Sequence, residues 1–310
     1  MPESYNTLAG LVQLNDKNLA DLNVTDLLDD APLLKVLFAQ KASNGTLHKY
    51  LKQTTASSAA FRAALDGASK TASADTLVTD TLAILDASFD TDVALADAFK
   101  GGRDAWLQLE LVRSLKAAFF AAESQVIYGV GSDALGFPGL HDNAQLDAVA
   151  DDMVIEAATA GSTGVSQTSV YLIRSGKDDC SFILGNEGKI VYEDEPTIIQ
   201  KDGATTGLFP ALYVAVTGYS GFQIGGAYSA ARICNIETAL TDDDIFNGIA
   251  LFPSARQPNM IVMNRAAMNL LRKSRTSTNP TGKPAERPTD IDGIPVVVTD
   301  AVVSTEAVET

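Results

Sequence analysis

Two histidines, His48 and His141, are the only side chains of this sequence whose ordinary pKa suits proton transfer near neutrality. His141 stands beside Asp142, two members of a Ser-His-Asp set, but no local pattern brings a serine to them, and a polar turn histidine is the simpler reading. Gly218-Tyr-Ser220-Gly221 resembles a nucleophile elbow, yet Phe222 stands where its second glycine belongs. Gly129-x-Gly131 with Gly136 resembles a phosphate loop. Such a loop follows a strand and opens a helix, whereas this one follows a helical stretch and spaces its third glycine wrongly. The acidic clusters Asp151-Asp152, Asp178-Asp179, Glu193-Asp194-Glu195 and Asp242 to Asp244 offer oxygen ligands, and their default reading is a solvated face. Asp16-x-Asn18 begins like a calcium loop but has Ala20 and Asp21 where a ligand and the turn glycine belong. Cys180 and Cys234 lack metal or redox spacing and sit in apolar, strand-like surroundings, as buried free thiols do. The expectation is a chain with no catalytic residue, no metal ligand and no cofactor.

The elements around these residues are unusual for an enzyme. Residues 1–44 alternate short apolar clusters with polar spacers and read as an arm with one or two short helices rather than a core. Residues 45–91 are rich in Thr, Ala and Ser. Strand-like stretches His48 to Thr55 and Thr76 to Phe89 flank a small-residue middle, which predicts a long two-stranded excursion. A helix opens near Thr91 or Asp92 and carries apolar residues at steps of mostly three, four and seven from Val93 to Ile127. Gly129 stops it, and Gly101-Gly102 predict a kink or break within it. An unbroken helix over 92–128 would reach about 55 Å.

Further on the period is that of strands: Ser169 to Arg174, Cys180 to Leu184, Lys189 to Tyr192, Leu212 to Val216, Gly221 to Ile224 and Ala230 to Ile236. Thr241-Asp-Asp-Asp244 reads as a capping box ahead of a helix that Pro253 ends. A strand over Met260 to Met263, a helix over Arg265 to Arg275, a mobile loop over 276–290 and a strand over Gly293 to Asp300 complete the chain.

Nearly half of the 310 residues are apolar, enough for a sizeable core, and the net charge is −16. Acidity spread along the chain repels nucleic acid, which argues against a general DNA-binding role. Between Arg256 and Arg287 the balance reverses. Arg256, Arg265, Arg272, Lys273, Arg275, Lys283 and Arg287 face one acid, Glu286. They form either a solvated helix face with its loop or a patch that meets an acidic neighbour, such as another copy of this chain. No signal pattern opens the chain, and the longest apolar run, Leu208 to Val216, is too short for a bilayer. A cytosolic protein without membrane contact is expected.

The order of these pieces resembles the major capsid proteins of tailed bacteriophages, the Hong Kong 97-type fold. Asp90 to Phe99, running into Glu123-Ser-Gln-Val-Ile-Tyr-Gly129, looks like that family's spine helix and its end. Gly136-Phe-Pro-Gly-Leu140 looks like the turn that follows it. Ser169 to Gly176 and Ala231 to Ile236 look like recurrent strands, and Pro258 to Asn264 with Gly293 to Asp300 look like the closing part.

The resemblance implies an α+β fold with an N-terminal arm (1–44), an extended loop over an adjacent subunit (45–91) and a peripheral domain with the spine helix (92–240). An axial domain (241–290) and a closing strand of the peripheral domain with the C-terminus (291–310) follow. It implies a structural protein that assembles into hexamers and pentamers and encloses double-stranded DNA without sequence-specific binding. Portal, scaffold and decoration proteins are its further partners, and the virion, assembled in the bacterial host cytoplasm, is its location. The residues expected to serve assembly are Trp106, Phe119, Phe120, Gly129, Gly136, Phe137, Pro138, Gly139, Leu140, Arg272, Lys273 and Arg275. Lys49, Lys52 and Lys70 lie in the extended loop, but no motif there matches the lysine–asparagine cross-link of some family members. The alternatives are an encapsulin-type compartment shell, a cytosolic hydrolase with a site near His141, and a small-oligomer receptor-binding or decoration protein.

Overall fold

A computed structural model describes residues 8, 12–14, 17–18, 25–55, 57–149, 151–157, 167–193, 195–203, 207–226, 228–279 and 283–309. Among the described residues the first strands are β1 (Gln13–Leu14) and β2 (Lys17–Asn18), and helix α1 (Pro32–Val36) and strand β3 (Ala39–Lys41) follow. Leu8, Val12, Leu27, Leu28, Leu33, Leu34 and Leu37 are all buried. These leucines and Val12 are therefore core, although residues 1–44 read as an arm rather than a core. Leucines in pairs, too short to form a face of their own, find their apolar partners on elements distant in sequence.

The excursion is present. Among the described residues, strands β4 (Leu47–Thr55) and β5 (Ala74–Thr81) form a two-stranded antiparallel sheet of their own, with His48 opposite Asp80 and Leu51 opposite Leu77. The stretch read as one strand to Phe89 divides. After β5 come β6 (Ala83–Asp86), which joins the main sheet, and β7 (Phe89–Asp92), which joins a third sheet. Buried Leu82 and Ala87 mark the two joints.

The spine is two helices. Asp92 caps α2 (Val93–Ala98) by accepting from the Ala94 amide. The chain then turns extended at Phe99, passes Gly102 at φ +82°, and resumes as α3 (Gly102–Tyr128). Its 27 residues span about 40 Å rather than 55 Å. The buried face of α3 carries Leu107, Leu115, Phe119, Ala122, Val126 and Ile127, the stripe expected from the spacing.

The second half holds β8 (Val154–Glu156), β9 (Thr168–Ile173), β10 (Cys180–Leu184), β11 (Lys189–Tyr192), β12 (Thr197–Asp202), β13 (Leu208–Val214), β14 (Val216–Ile224) and β15 (Ala230–Ile236). Helix α4 (Asp242–Ala250), β16 (Met260–Met263), α5 (Arg265–Thr278), β17 (Asp290–Ile291) and β18 (Ile294–Val298) finish it. One sheet runs β2-β1-β11-β14-β10-β3 with β6 added on β14. A second runs β17-β18-β16-β9-β15-β8, and a third, smaller one runs β12-β13-β7. Strands β9 and β15 are buried along their whole length, so they sit at the centre of the second sheet with both faces covered. Because β16 and β18 share that sheet with β9 and β15, a boundary at 240/241 cuts through it. The first sheet packs with α3 through β6, and the second with α4 and α5 through β15, β8 and β9.

The capping box at Thr241 forms as read, with the Asp244 carboxylate returning to the Thr241 amide. Asn264 caps α5 with its side chain alone, Oδ1 accepting from the Ala267 amide at 2.7 Å. The described part of the 276–290 loop is tied back, with the Ala285 amide donating to Thr276 Oγ1 and Arg272 Nε to the Ala285 carbonyl.

Candidate functional site

The residues singled out for chemistry are engaged in structure. His141 is half-buried, and its Nε2 lies 2.6 Å from the Tyr171 hydroxyl. Burial, reinforced by the nearby Arg232 charge, pushes its pKa down to about 4, with Asp142 opposing, so it is neutral at pH 7. Asp142 turns away from proton transfer. Its Oδ2 accepts from the amides of Val130 (2.9 Å) and Gly139 (2.8 Å) and ties the end of the spine to the turn after it. Ser220 lies buried in the middle of β14 between two partner strands, where no strand-to-helix elbow exists. Gly129–Gly131 form a 3-10 turn at the end of α3, with no strand before it. Cys180 and Cys234 are buried and unbridged. Burial drives the Cys180 thiol well above its ordinary range and that of Cys234 up to about 11, so both are inert. Asp16, Ala20, Asp21 and Asp194 lie outside the described residues. Among the described residues no group of three or more His, Cys, Asp or Glu could hold a metal ion.

The residues expected to serve assembly fall into three groups. Phe119, Phe137, Leu140, Gly129 and Gly139 are buried, and Gly136 is half-buried. They hold the subunit itself together, and a side chain already covered has no area to offer a neighbour. Gly129 takes φ +52°, ψ −129°, and a Cβ there would meet the Asp142 carboxylate at 1.6 Å and the Gly139 nitrogen at 2.3 Å. A Cβ on Gly139 would meet the Gln125 carbonyl oxygen at 2.5 Å. Gly129→Val is accordingly expected to cost roughly 3 kcal/mol or more, from the β-branched residue at positive φ and from the loss of the Asp142 clasp. An unchanged thermal melt would remove this account.

In the second group, Arg275 makes a bidentate pair with Asp242, Nε–Oδ2 2.8 Å and Nη2–Oδ1 2.6 Å, joining α5 to the start of α4. Its role is also internal, and side-chain hydrogen bonding to Asp242 raises its pKa. Trp106 is half-buried, with its Nε1 donating to Thr91 Oγ1. The third group, Phe120, Pro138, Arg272 and Lys273, is exposed and available to a partner.

Three surfaces remain open. The β4–β5 hairpin exposes Leu51 and Leu77 as a cross-strand pair, and Phe61 and Leu65 at its far end are fully exposed. The edge strand β12 with the outer half of β13 forms a second ribbon carrying exposed Ile198 and Leu208. A cleft of about 890 Å³ lies where the segment before α1, the middle of α3, α5 and the end of β18 meet. Its lining includes Ala117, Phe120 and Met268, with five basic side chains against three acidic ones. This cleft is the feature that sequence reasoning missed. Its Arg113 and Lys116 lie on the spine helix, far in sequence from the basic run that was noticed.

Two buried polar clusters fasten the segments around these surfaces. Glu123, on α3, has no exposed surface; its Oε2 accepts from the amides of Leu33 (3.0 Å) and Leu34 (3.2 Å), and Oε1 accepts from the Thr299 hydroxyl. It caps α1, whose own Ala31 supplies no side-chain cap. Arg232, on β15, is also wholly buried; Nη2 pairs with Glu306 at 3.2 Å and Glu309 at 3.0 Å, and Nε donates to Ser169 Oγ at 3.1 Å.

The family model of major capsid protein GP7 matches residues 16–309. No curated protein matches the sequence. Among solved structures, the chain is similar to one of bacteriophage Epsilon15 at a TM-score of 0.63 and 19% identity, covering 87% of each chain. It is also similar to the capsid of bacteriophage JBD30 decorated with minor capsid protein trimers, at a TM-score of 0.52 and 12% identity, covering 90% of this chain and 94% of that one. No helix among the described residues is long and apolar enough to cross a membrane.

Proposed function

Since the chain belongs to the GP7 family of major capsid proteins and so is a subunit of a phage head shell, we propose that it closes that shell through hexamers and pentamers of itself. The match over residues 16–309 carries the reading. It favours a viral head over an encapsulin-type compartment. The separate engagement of His141 and Asp142 supports a structural role over hydrolysis near His141.

The hairpin β4–β5 acts as the extended loop and lies over an adjacent subunit. An isolated two-stranded hairpin is marginal in water, and this one leaves both edges open, with apolar residues toward solvent. The first sheet with α3 acts as the peripheral domain, and the second sheet with α4 and α5 as the axial domain. The shell encloses double-stranded DNA without reading its sequence, because an acidic subunit does not adhere to phosphate. Portal, scaffold and decoration proteins are its further partners, and assembly takes place in the host cytoplasm.

Replacing residues 56–73 by an Asn-Gly turn tests the hairpin, since Thr55 and Ala74 already face each other in register. The expected product melts within about 2 °C of the parent, because residues 57–73 are exposed apart from half-buried Ala68. It forms no shells by electron microscopy. Full-size shells from this variant would sink the role given to the hairpin.

A further inference from the structure

We propose that the basic cleft on the spine helix receives the acidic β12–β13 ribbon of a second copy of this chain. The inference rests on the shell reading and assigns one of the contacts within it.

The cleft offers charge that the subunit does not satisfy. Arg113 pairs with Glu110, Arg265 with Asp300, and the neighbouring Lys35 with Asp29. Lys116, Arg272 and Arg287 have no carboxylate at ion-pair distance among the described residues, although Asp30 shares the cleft. On a chain of net charge −16, three cations beside an apolar floor need an acidic occupant with apolar side chains. A bare phosphodiester chain meets the charge but offers nothing to exposed Ala117 and Phe120 except through its bases.

The ribbon has the complementary chemistry. Glu193 and Glu195 are exposed at its base and Asp202 toward its tip. Ile198, near the base, and Leu208, opposite Asp202 at the tip end, are each 62% exposed. Its nearest cation, Lys201, is already held by Asp90 at 2.6 Å. The other projecting segments fit less well. The far end of the β4–β5 hairpin carries Arg62 and Lys70 against Asp66, the same sign as the cleft. Helix α4 exposes Phe246, but Asp242 beside it is committed to Arg275. Ribbon and cleft share no residue, so one subunit engages a neighbour on each side at once. That is the head-to-tail contact from which rings close.

The full-length chain tests this by charge exchange. Arg272→Glu with Arg287→Glu, and separately Glu193→Lys with Glu195→Lys, are expected to lower the assembled fraction about tenfold or more, because like charges then face each other. Sedimentation velocity and electron microscopy read the fraction, and circular dichroism melts verify folding. All four substitutions in one chain are expected to restore shells. In a second experiment, Arg287→Cys with Ile198→Cys is expected to give a ladder of disulfide-linked oligomers on a non-reducing gel, the native thiols being buried. Wild-type shell yield from the cleft variant, or no recovery in the four-fold variant, overturns the contact and leaves the shell reading standing. The first of these outcomes would point to an acidic segment of a different protein. Parent chain that forms neither shells nor rings, together with no ladder, overturns both.

Discussion

Arg232→Ala is expected to lower the unfolding free energy by about 3–5 kcal/mol, because it strands Glu306 in the interior without its counter-charge. The guanidinium is wholly buried and Glu306 nearly so. Burial alone would discourage the charge, but Tyr171, Glu306 and Glu309 around it outweigh that and hold the Arg232 pKa above its ordinary value. Glu306 is further held by the Tyr128 hydroxyl at 2.6 Å and the Ser169 hydroxyl at 2.5 Å. The chain around it is fixed too. The amide and carbonyl of Glu306 bridge to Gln167, and those of Glu309 to the Asn235 side chain. This cluster therefore straps residues 303–309 across the central strands and onto the end of the spine helix. Thermal melts should fall by roughly 10 °C for the single change. Arg232→Met combined with Glu306→Leu should recover most of the loss, since apolar residues of similar volume remove both charges together. An alanine variant that melts like the parent would show that the strap does not stabilise the subunit.

How much of this was legible in the sequence depends on the range of the interaction. Strands β10, β11, β15 and β16 were readable at their observed ends because their apolar runs are bounded by glycine, asparagine or charge. The capping box at Thr241 and the stop at Gly129 are local chemistry and were equally plain. The break at Gly101-Gly102 was visible as a weakness, though not that Phe99 would leave the helix altogether. Strands β3, β8 and β12 escaped notice. Two are three residues long, and β12 exposes nearly all its side chains, so none shows the alternation that marks a half-buried strand. The burial of the first 44 residues also escaped, because paired leucines look alike on an arm and in a core until their partners are known. The same holds for the assembly candidates. Gly129, Phe137 and Leu140 form a motif by their spacing, but only the packed structure reveals that the motif faces inward. Glu123 and Arg232 read as ordinary charged residues on a helix and a strand. Their importance comes from partners more than 60 residues away.

Glu123 yields the second large effect, and its sign runs opposite to that of a salt-bridged carboxylate. Burial raises its pKa from the reference 4.5 to about 7, while the hydrogen bonds from Thr299, Leu34 and Leu33 pull it partly back. The folded subunit therefore holds a proton that the unfolded chain releases, and between those two values stability falls as pH rises. The stability is fully present below about pH 4.5 and lost as pH rises through about 7, after which the contribution is flat; the total is about 3 kcal/mol. Glu123→Gln keeps an oxygen for the two α1 amides and offers an N–H to Thr299, whose hydroxyl already accepts from the Ala301 amide. It should match the parent near pH 4.5 and exceed it by about 3 kcal/mol above pH 7.5. Glu123→Ala, by contrast, leaves the Leu33 and Leu34 amides and the Thr299 hydroxyl without their acceptor and should destabilise by about 3–5 kcal/mol near pH 4.5, a deficit that shrinks as the parent loses stability toward pH 7.5. Urea unfolding of the parent and the glutamine variant across pH 4.5–8 measures the difference directly. Parallel curves would show that Glu123 does not titrate in this window. Curves that diverge as pH rises would mean that the joint of first segment, spine and closing strand is strained by charge at neutral pH. The same joint lines the basic cleft through Pro32 and Thr299.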